Sequence, residues 1–359
     1  LISHPRTAIV ASDHGSQITD DGWLPTLPMR SLTASPSKSF WRSSWQAVTG
    51  RQEFSIGLLL LALVIALSLR TTGTFLTGNN LVNVLRNSSW IAIAAFGEAI
   101  VIIAGGIDLS VGSVMALTGL VTAFALQAGW GVPLAVAAGL ATGGLAGSLT
   151  GILISRGRLP SFIVTLGMLS AARGIAFGLT SGEPVRDLPS GFVYLGQHNL
   201  SLNGWEAPLP VAAMLVFAGL TWLLLSHTVL GGHVYALGSD ETALWLAGID
   251  VDRLKVMVYA LSGLLAAIAG ALMTARLGVA APTAAAGYEL DIIAAAMVGG
   301  VSWLGGKGTV WGVLLGAVMM QVLRNGMVLL GFPTYWQAMA IGVIIIAAIA
   351  LDRWRAGRA

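Results

Sequence analysis

The sequence predicts an all-α fold: a polytopic transmembrane helix bundle of about ten spans with both termini in the cytoplasm. Three observations carry this. Of 359 residues, 55% are hydrophobic and only 10% charged, where a soluble domain carries roughly 25% charged residues. So few charges cannot cover a water-facing surface, and the mean hydropathy of +0.81 agrees that lipid supplies most of the solvent. Apolar runs recur at lengths near the roughly 20 residues that cross the hydrocarbon. Lys and Arg gather in alternate connections, as topology signals do.

Residues 1–50 are polar, contain Ser, Thr and Pro, and show no steady period. They are expected to form a disordered cytoplasmic tail. No small-residue cleavage site follows the first apolar run, so a signal peptide is not expected. The membrane domain is expected over 51–355. Its apolar segments are 54–70, 81–103, 109–127, 132–154, 161–180, 208–226, 254–275, 289–301, 309–330 and 334–351. The eighth is too short to span comfortably, and only a Gly-rich break separates the second from the third.

With the N-terminus inside, Lys38, Arg42 and Arg51, then Arg156 and Arg158, Arg253 and Lys255, Lys307, and the C-terminal arginines all fall in the cytoplasm. Arg70, Arg186, Arg276 and Arg324 are left outside as isolated residues. Two connections are long: 181–207 outside and 227–253 inside. The 46 glycines suit close helix contacts, where small residues let backbones approach in lipid.

An internal echo relates AGGIDLSVGSVMALTG (104–119) to VGGVSWLGGKGTVWGVLLG (298–316). Each has a Gly-Gly break, Gly105-Gly106 or Gly299-Gly300, followed by a new apolar run. Glu98 and Glu289 precede them. Interrupted apolar segments in the two halves of a chain point to a transport pathway; chance similarity in Gly-rich sequence is the competing reading. Asp108 and Ser110 follow the first break. Asp108 either caps N–H groups freed by the break or lines the pathway and accepts hydrogen bonds there. Glu98, Arg86 and Arg173 lie in or beside apolar spans, where charges face a cavity or a partner charge. An Arg86–Glu98 ion pair and a solute-contacting role both stand open. Glu289 and Asp291 are expected at the outer interface.

The inner connection 227–253 opens with Gly231-Gly232 and continues as an amphipathic stretch from Ser239 to Ile249. Ser239 and Asp240 are N-cap candidates, and Asp240 and Glu241 suit the positive end of a short helix. Ala243, Ala247 and Gly248 keep one side small. Such a helix either lies in a groove of another protein or rests on lipid headgroups. Its polar face carries Asp and Glu, the wrong sign for anionic lipid.

This connection resembles the cytoplasmic coupling segment of bacterial sugar ABC permeases of the ribose, xylose, galactose and arabinose type. That segment reads approximately G-x-x-x-x-A-x-G-G-N-x-x-A-A-R-x-S-G-I. Gly232, Ala236, Gly238, Ala243, Gly248 and Ile249 match it; Ser239, Asp240, Leu244, Trp245 and Ala247 depart from it. GGIDLSVG (105–112) is the most specific match. Segments 159–182 and 288–317 resemble the family's central span and C-terminal Gly-rich segment. The likeness runs from about residue 54 to 355.

The resemblance implies an inner-membrane permease for a monosaccharide. Its implied partners are an ATP-binding subunit gripping the 239–249 helix, an extracytoplasmic sugar-binding protein, and a second permease copy enclosing the solute path.

No catalytic constellation appears. His4, His14, His198, His227 and His233 are scattered, and none pairs at i, i+4 with a helical Glu. Gly305-Gly306-Lys307-Gly308-Thr309 lacks the spacing and preceding strand of a phosphate-cradling loop. With no cysteine, thiolate chemistry and Cys-ligated metals are excluded. No cofactor, metal or nucleic acid is expected, and ATP hydrolysis is assigned to another chain. The rivals are an ABC permease for a nucleoside, a branched-chain amino acid or autoinducer-2, an ion-coupled transporter using Glu98 and Glu289, and a membrane-embedded enzyme.

Overall fold

The computed structural model describes residues 52–202 and 205–356; the expected tail over 1–50 lies outside the described residues. Each of the ten apolar segments is helical. In chain order the helices are α1 Gln52–Arg70, α2 Gly78–Ile103, α3 Val111–Gln127, α4 Val132–Ser155, α5 Ser161–Thr180, α6 Ser190–Gln197, α7 Leu209–His227, α8 Val229–Ser239, α9 Glu241–Leu246, α10 Val251–Leu277, α11 Tyr288–Val298, α12 Val310–Leu329 and α13 Thr334–Ala356. A hairpin, β1 Asn199–Leu202 and antiparallel β2 Trp205–Pro208, joins α6 to α7. Among the described residues seven helices are long and apolar enough to cross a membrane: α1, α2, α4, α5, α7, α10 and α12.

The layering follows from which helices are apolar all round and which present leucine to the outside. α2 is the core: 94% of its most apolar window is buried, against 11% for α1 and 22% for α4 and α5. Trp90 to Ile103 offers no polar face for water, so the helix is enclosed by α7, α10, α11 and α12.

Glycine sets the closest contacts. Gly139, Gly143, Gly147 and Gly151 recur every fourth residue on α4. A Cβ at Gly143 would overlap Gly263 O, one at Gly147 would overlap Tyr259 O, and one at Gly151 would stand 2.7 Å from Val256 Cα. The α4 and α10 backbones therefore touch, the packing that small residues permit without a hydrophobic drive between helices.

The two Gly-Gly breaks share one geometry. After α2, Gly105 is left-handed (φ 83°), and the N–H groups of Gly105 and Gly106 donate to Ile102 O and Val101 O. After α11, Gly300 is left-handed (φ 91°), and Gly300 and Val301 donate to Met297 O and Ala296 O. Both are C-terminal caps that need a residue tolerant of positive φ. Gly105 thus corresponds to Gly300, one residue off the register of the sequence echo, because the left-handed position decides the equivalence.

Two non-helical segments run deep into the bundle. α3 lies alongside α10 in the same direction: a Cβ at Gly270 would overlap Met115 O, and one at Gly119 would overlap Thr274 Oγ1. Extended back to Val111, that register starts α3 roughly 20 Å along α10, at 1.5 Å per residue. Segment 104–110 therefore climbs inward from the end of α2. From the other side, segment 278–287 descends from the end of α10 until Ala285 O and Glu289 Oε1 are each 2.6 Å from a Cβ built on Gly112. The start of α3 and the start of α11 meet at mid-depth. The short eighth segment is explained: the chain covers the missing length as a run of turns and irregular backbone.

Candidate functional site

The first break is a buried polar knot. Asp108 Oδ1 accepts from Ser110 N (2.9 Å) and Ser110 Oγ (2.6 Å), and Oδ2 accepts from Ser262 Oγ (3.0 Å). Asp108 N donates to Glu98 Oε1 at 3.1 Å. Glu98 is fully buried and Asp108 3% exposed. Of these three donors only Ser110 N is a main-chain group, so Asp108 satisfies one N–H of the turn that leads into α3 and is otherwise held by two hydroxyls. The knot also pins α2 and α10 to the break.

Replacing Asp108 with Ala strands three buried donors at ~1–3 kcal/mol each. It is expected to lower the amount of folded protein in the membrane, with Asp108→Asn intermediate. An altered solute profile at full expression would reverse that assignment.

The Arg86–Glu98 pair does not form. Roughly 18 Å of helix separates the two residues, and Arg86 donates instead to Asn199 Oδ1 on the hairpin. Glu289 and Asp291 are not at an interface either: they are 8% and 1% exposed. Asp291 pairs with Arg324, whose guanidinium lies 4.6 Å from the Tyr288 ring centre. Glu289 Oε1 lies 3.5 Å from Arg173, and Arg173 Nη1 donates to Pro282 O (2.8 Å) and Ala284 O (2.7 Å). An arginine on α5 thus satisfies the carbonyls of the descending segment 278–287. The sequence offered Arg173 and Glu289 as separate charges; nothing in it paired them.

At the other end of the bundle, connection 227–253 is mostly helical. Thr228 caps α8, accepting from Gly231 N, and Asp240 caps α9, accepting from Ala243 N at 2.9 Å. Ser239 is not a cap: it is the last residue of α8, and its Oγ donates to Tyr235 O. Gly248 (φ 83°) ends α9. Gly232, Ser239, Asp240, Glu241, Ala243 and Gly248 are exposed, Ala236 and Gly238 half-buried. Leu244 is turned inward, while Trp245 and Leu246 are 65% and 73% exposed. The sequence reading took the small residues as the contact face and passed over these two. Two adjacent large apolar residues on a six-residue helix were the signal available.

Gly238 has a different role from the one its exposed neighbours suggest. A Cβ there would overlap Ile103 O and stand 2.6 Å from Gly306 N. Gly306 N donates to Ile103 O at 2.8 Å, and Tyr235 OH donates to Gly308 O at 2.9 Å. Burial pushes the Tyr235 phenol up, so it remains a donor. The C-terminal end of α8, the end of α2 and the 302–309 turn are therefore one junction, closed by glycine backbone. Gly299 is packed the same way, 2.6 Å from Gly312 O for a built Cβ. A groove of about 1030 Å³ opens beside the junction, lined by Gly105, Gly106, Arg158, Glu241, Trp245 and Lys255 among others.

Comparison with known proteins agrees in extent with this architecture. The family model described as branched-chain amino acid transport system / permease component matches residues 80–349. The ribose import permease protein RbsC of Escherichia coli K12 is 42% identical over 321 residues, 86% of this chain and 98% of its own length. RbsC of Bacillus subtilis 168 is 38% identical, covering 83% and 91%. The fructose import permease FrcC of Rhizobium meliloti is 34% identical, covering 84% and 85%. No solved structure matches. A match of this length over a broken, glycine-packed bundle has one meaning: the chain belongs to this family of transport permeases, alongside the sugar import permeases it is similar to, and is a multi-pass protein of the inner membrane.

Proposed function

We propose that the chain is the membrane-spanning subunit of an ATP-binding-cassette importer that carries a monosaccharide, a pentose or a hexose, across the inner membrane. ATP is hydrolysed by a separate subunit. An extracytoplasmic sugar-binding protein delivers the solute, and a second permease copy closes the path. The names of the relatives support the solute class.

The observation that carries the mechanism is the seating of α8, to which α9 is joined by the single residue Asp240. The end of α8 stands on the glycine junction, so a push on α9 passes through α8 to the end of α2, and through Asp108 to the start of α3. Gly232, Ala236, Gly238 and the 239–248 stretch form the coupling segment in this reading. Gly105, Gly106, Gly299 and Gly300 are the breaks it moves, and Glu98, Asp108 and Ser110 hold the first of them.

Contacts across the chain support the sorting of its connections onto two sides, and the Lys and Arg bias assigns the side with both termini to the cytoplasm. Groups assigned to the cytoplasm meet one another, as in Lys255–Glu241 and Ile103–Gly306. Groups assigned outside do the same, as in Asn80–Asn325, Gln127–Arg186 and Gln197–Arg276. Ten helices then enter the bilayer, with α3 and α11 covering part of its thickness.

Trp245 and Leu246 are the docking anchors. Glu241 and Asp250 are already paired with Lys255 and Arg253, which leaves an apolar tip for the partner. Trp245→Glu is expected to lower ATP-dependent uptake at least ~tenfold, the scale of an interface hot spot, with an unchanged amount of protein in the membrane. Normal uptake by that variant would remove the docking role. Gly238 is unsuitable for this test, because a side chain there breaks the chain's own junction.

A further inference from the structure

A second cavity, of about 600 Å³, lies between α1, α11, α12 and α13. Its wall is aliphatic and methionine-rich, with Leu59, Met297, Met319 and Met320 on it. Ser55, near the start of α1, is its one polar side chain among the described residues. Three helices give its depth independently. Leu63, Leu323 and Ile344 are the deepest wall residues of α1, α12 and α13. They stand roughly 17, 20 and 18 Å from the cytoplasmic ends of those helices, at 1.5 Å per residue. Half a bilayer, headgroup region included, is about 20 Å. The cavity therefore runs from the inner interface to the midplane and ends there. Beyond it α1 closes onto α12: a Cβ at Gly326 would overlap Leu67, and Leu67, Phe75, Val84 and Val322 form a buried cluster.

The mouth is cationic. The wall residue Val301 leads directly into the 302–309 turn, where Lys307 is exposed. Arg353, also exposed, lies roughly 8 Å past the wall residue Ala348, toward the cytoplasmic end of α13. Neither forms an ion pair among the described residues. Glu53, the acid on the rim, accepts from Thr309 Oγ1 at 2.9 Å. Trp303 is exposed on the same turn, a residue type that settles at the membrane interface.

We propose that this cavity holds one acyl chain of an anionic phospholipid of the inner leaflet, with Lys307 and Arg353 on its phosphate. The polarity of the site follows that of the lipid: cations at the rim, a hydroxyl just inside, and apolar side chains down to the midplane. Basic sites between helices on the cytoplasmic side recognise anionic headgroups. Unbranched methionine adapts its shape, which suits a flexible chain. A protein helix is too wide an occupant. Over a length of roughly 20 Å, 600 Å³ leaves a cross-section of about 30 Å², whereas a helix about 10 Å across fills about 80 Å². Gly300, the left-handed residue of the second break, is on the wall, so a bound chain packs against that break. The site goes beyond the importer reading and rests on the placement of the chain in the inner membrane with both termini inside.

The full-length chain, purified in detergent, is titrated with phosphatidylglycerol and with phosphatidylcholine of the same acyl chains. Bound lipid is counted by native mass spectrometry. Phosphatidylglycerol is expected to bind the wild type at least ~tenfold more tightly, the scale of two interfacial cations. K307Q/R353Q, altered only at exposed positions, is expected to lose that preference. A347W places an indole in the cavity from an exposed wall position, and is expected to lose bound lipid of both kinds while remaining monodisperse. The thermal midpoint with added phosphatidylglycerol is expected to rise in the wild type and not in K307Q/R353Q, a comparison that does not depend on the folding of A347W. Equal binding of the two lipids to the wild type overturns the proposal. So does a preference that survives K307Q/R353Q, or lipid retained by monodisperse A347W. Loss of self-association in A347W with its lipid unchanged would assign the cavity to a contact between copies, and overturns it as well. Sugar uptake enters none of these readouts, so a failure of the importer reading leaves them standing.

Discussion

Gly147→Leu is expected to remove the folded chain from the membrane. A Cβ at this position overlaps Tyr259 O and stands 2.9 Å from Tyr259 C. The obstacle is backbone, which cannot rotate aside as a side chain end can. Leucine adds three further heavy atoms to a contact in which α4 and α10 already touch at Gly143, Gly147 and Gly151. Overpacking of an ordinary core costs about 1–3 kcal/mol. Here the relief is separation of two helices along their length, which forfeits the close packing that holds helices together in lipid. α10 also carries Ser262, the partner of Asp108, so the break between α2 and α3 loosens with it. Gly57→Leu on α1, where nothing lies within 4 Å, serves as the control and is expected to express normally. Monodisperse yield after detergent extraction reads both. A wild-type yield for Gly147→Leu would mean that the α4–α10 seam is not required.

The second large effect is expected at Asp291. Its carboxylate is 1% exposed and paired with Arg324, and the same guanidinium covers the Tyr288 ring. Asp291→Ala removes the direct counter-charge of Arg324 at the α11–α12 contact, where breaking a fully buried pair costs up to ~3–5 kcal/mol. Replacing both residues by leucine removes the uncompensated charge together with the pair, so the double variant is expected to be more stable than Asp291→Ala alone. The thermal midpoints of Asp291→Leu, Arg324→Leu and the double leucine variant form a cycle that isolates the coupling. Additive losses would show that the two side chains do not depend on each other.

These two sites differ in how visible they were beforehand. The glycines of α4 recur at every fourth position, and glycine at that period in an apolar run is a sign of helix contact in lipid. Which helix they meet was not written there, because Gly143 finds Gly263 across a long stretch of intervening chain. Asp291 looked like an interfacial acid at the head of a short apolar segment. Its burial follows from the descent of segment 278–287, and a non-helical stretch of Ala, Pro, Thr and Gly carries no hydropathy signal of depth. The Arg86–Glu98 pairing failed on helix arithmetic available from residue numbers alone. Gly238 matched a coupling pattern, yet its neighbours Ile103 and Gly306 come from two other stretches of the chain.

Run lengths, charge bias and glycine content are local properties, and each acts on its own stretch of chain. Membrane insertion, the helices and the positions of the breaks were therefore determined by the sequence itself. Depth, partnership and exposure arise when distant stretches pack, because each charge buried in a low dielectric takes whichever counter-group the fold brings to it. Tertiary structure alone decided that Arg173 holds a descending loop and that the end of α8 stands on the end of α2.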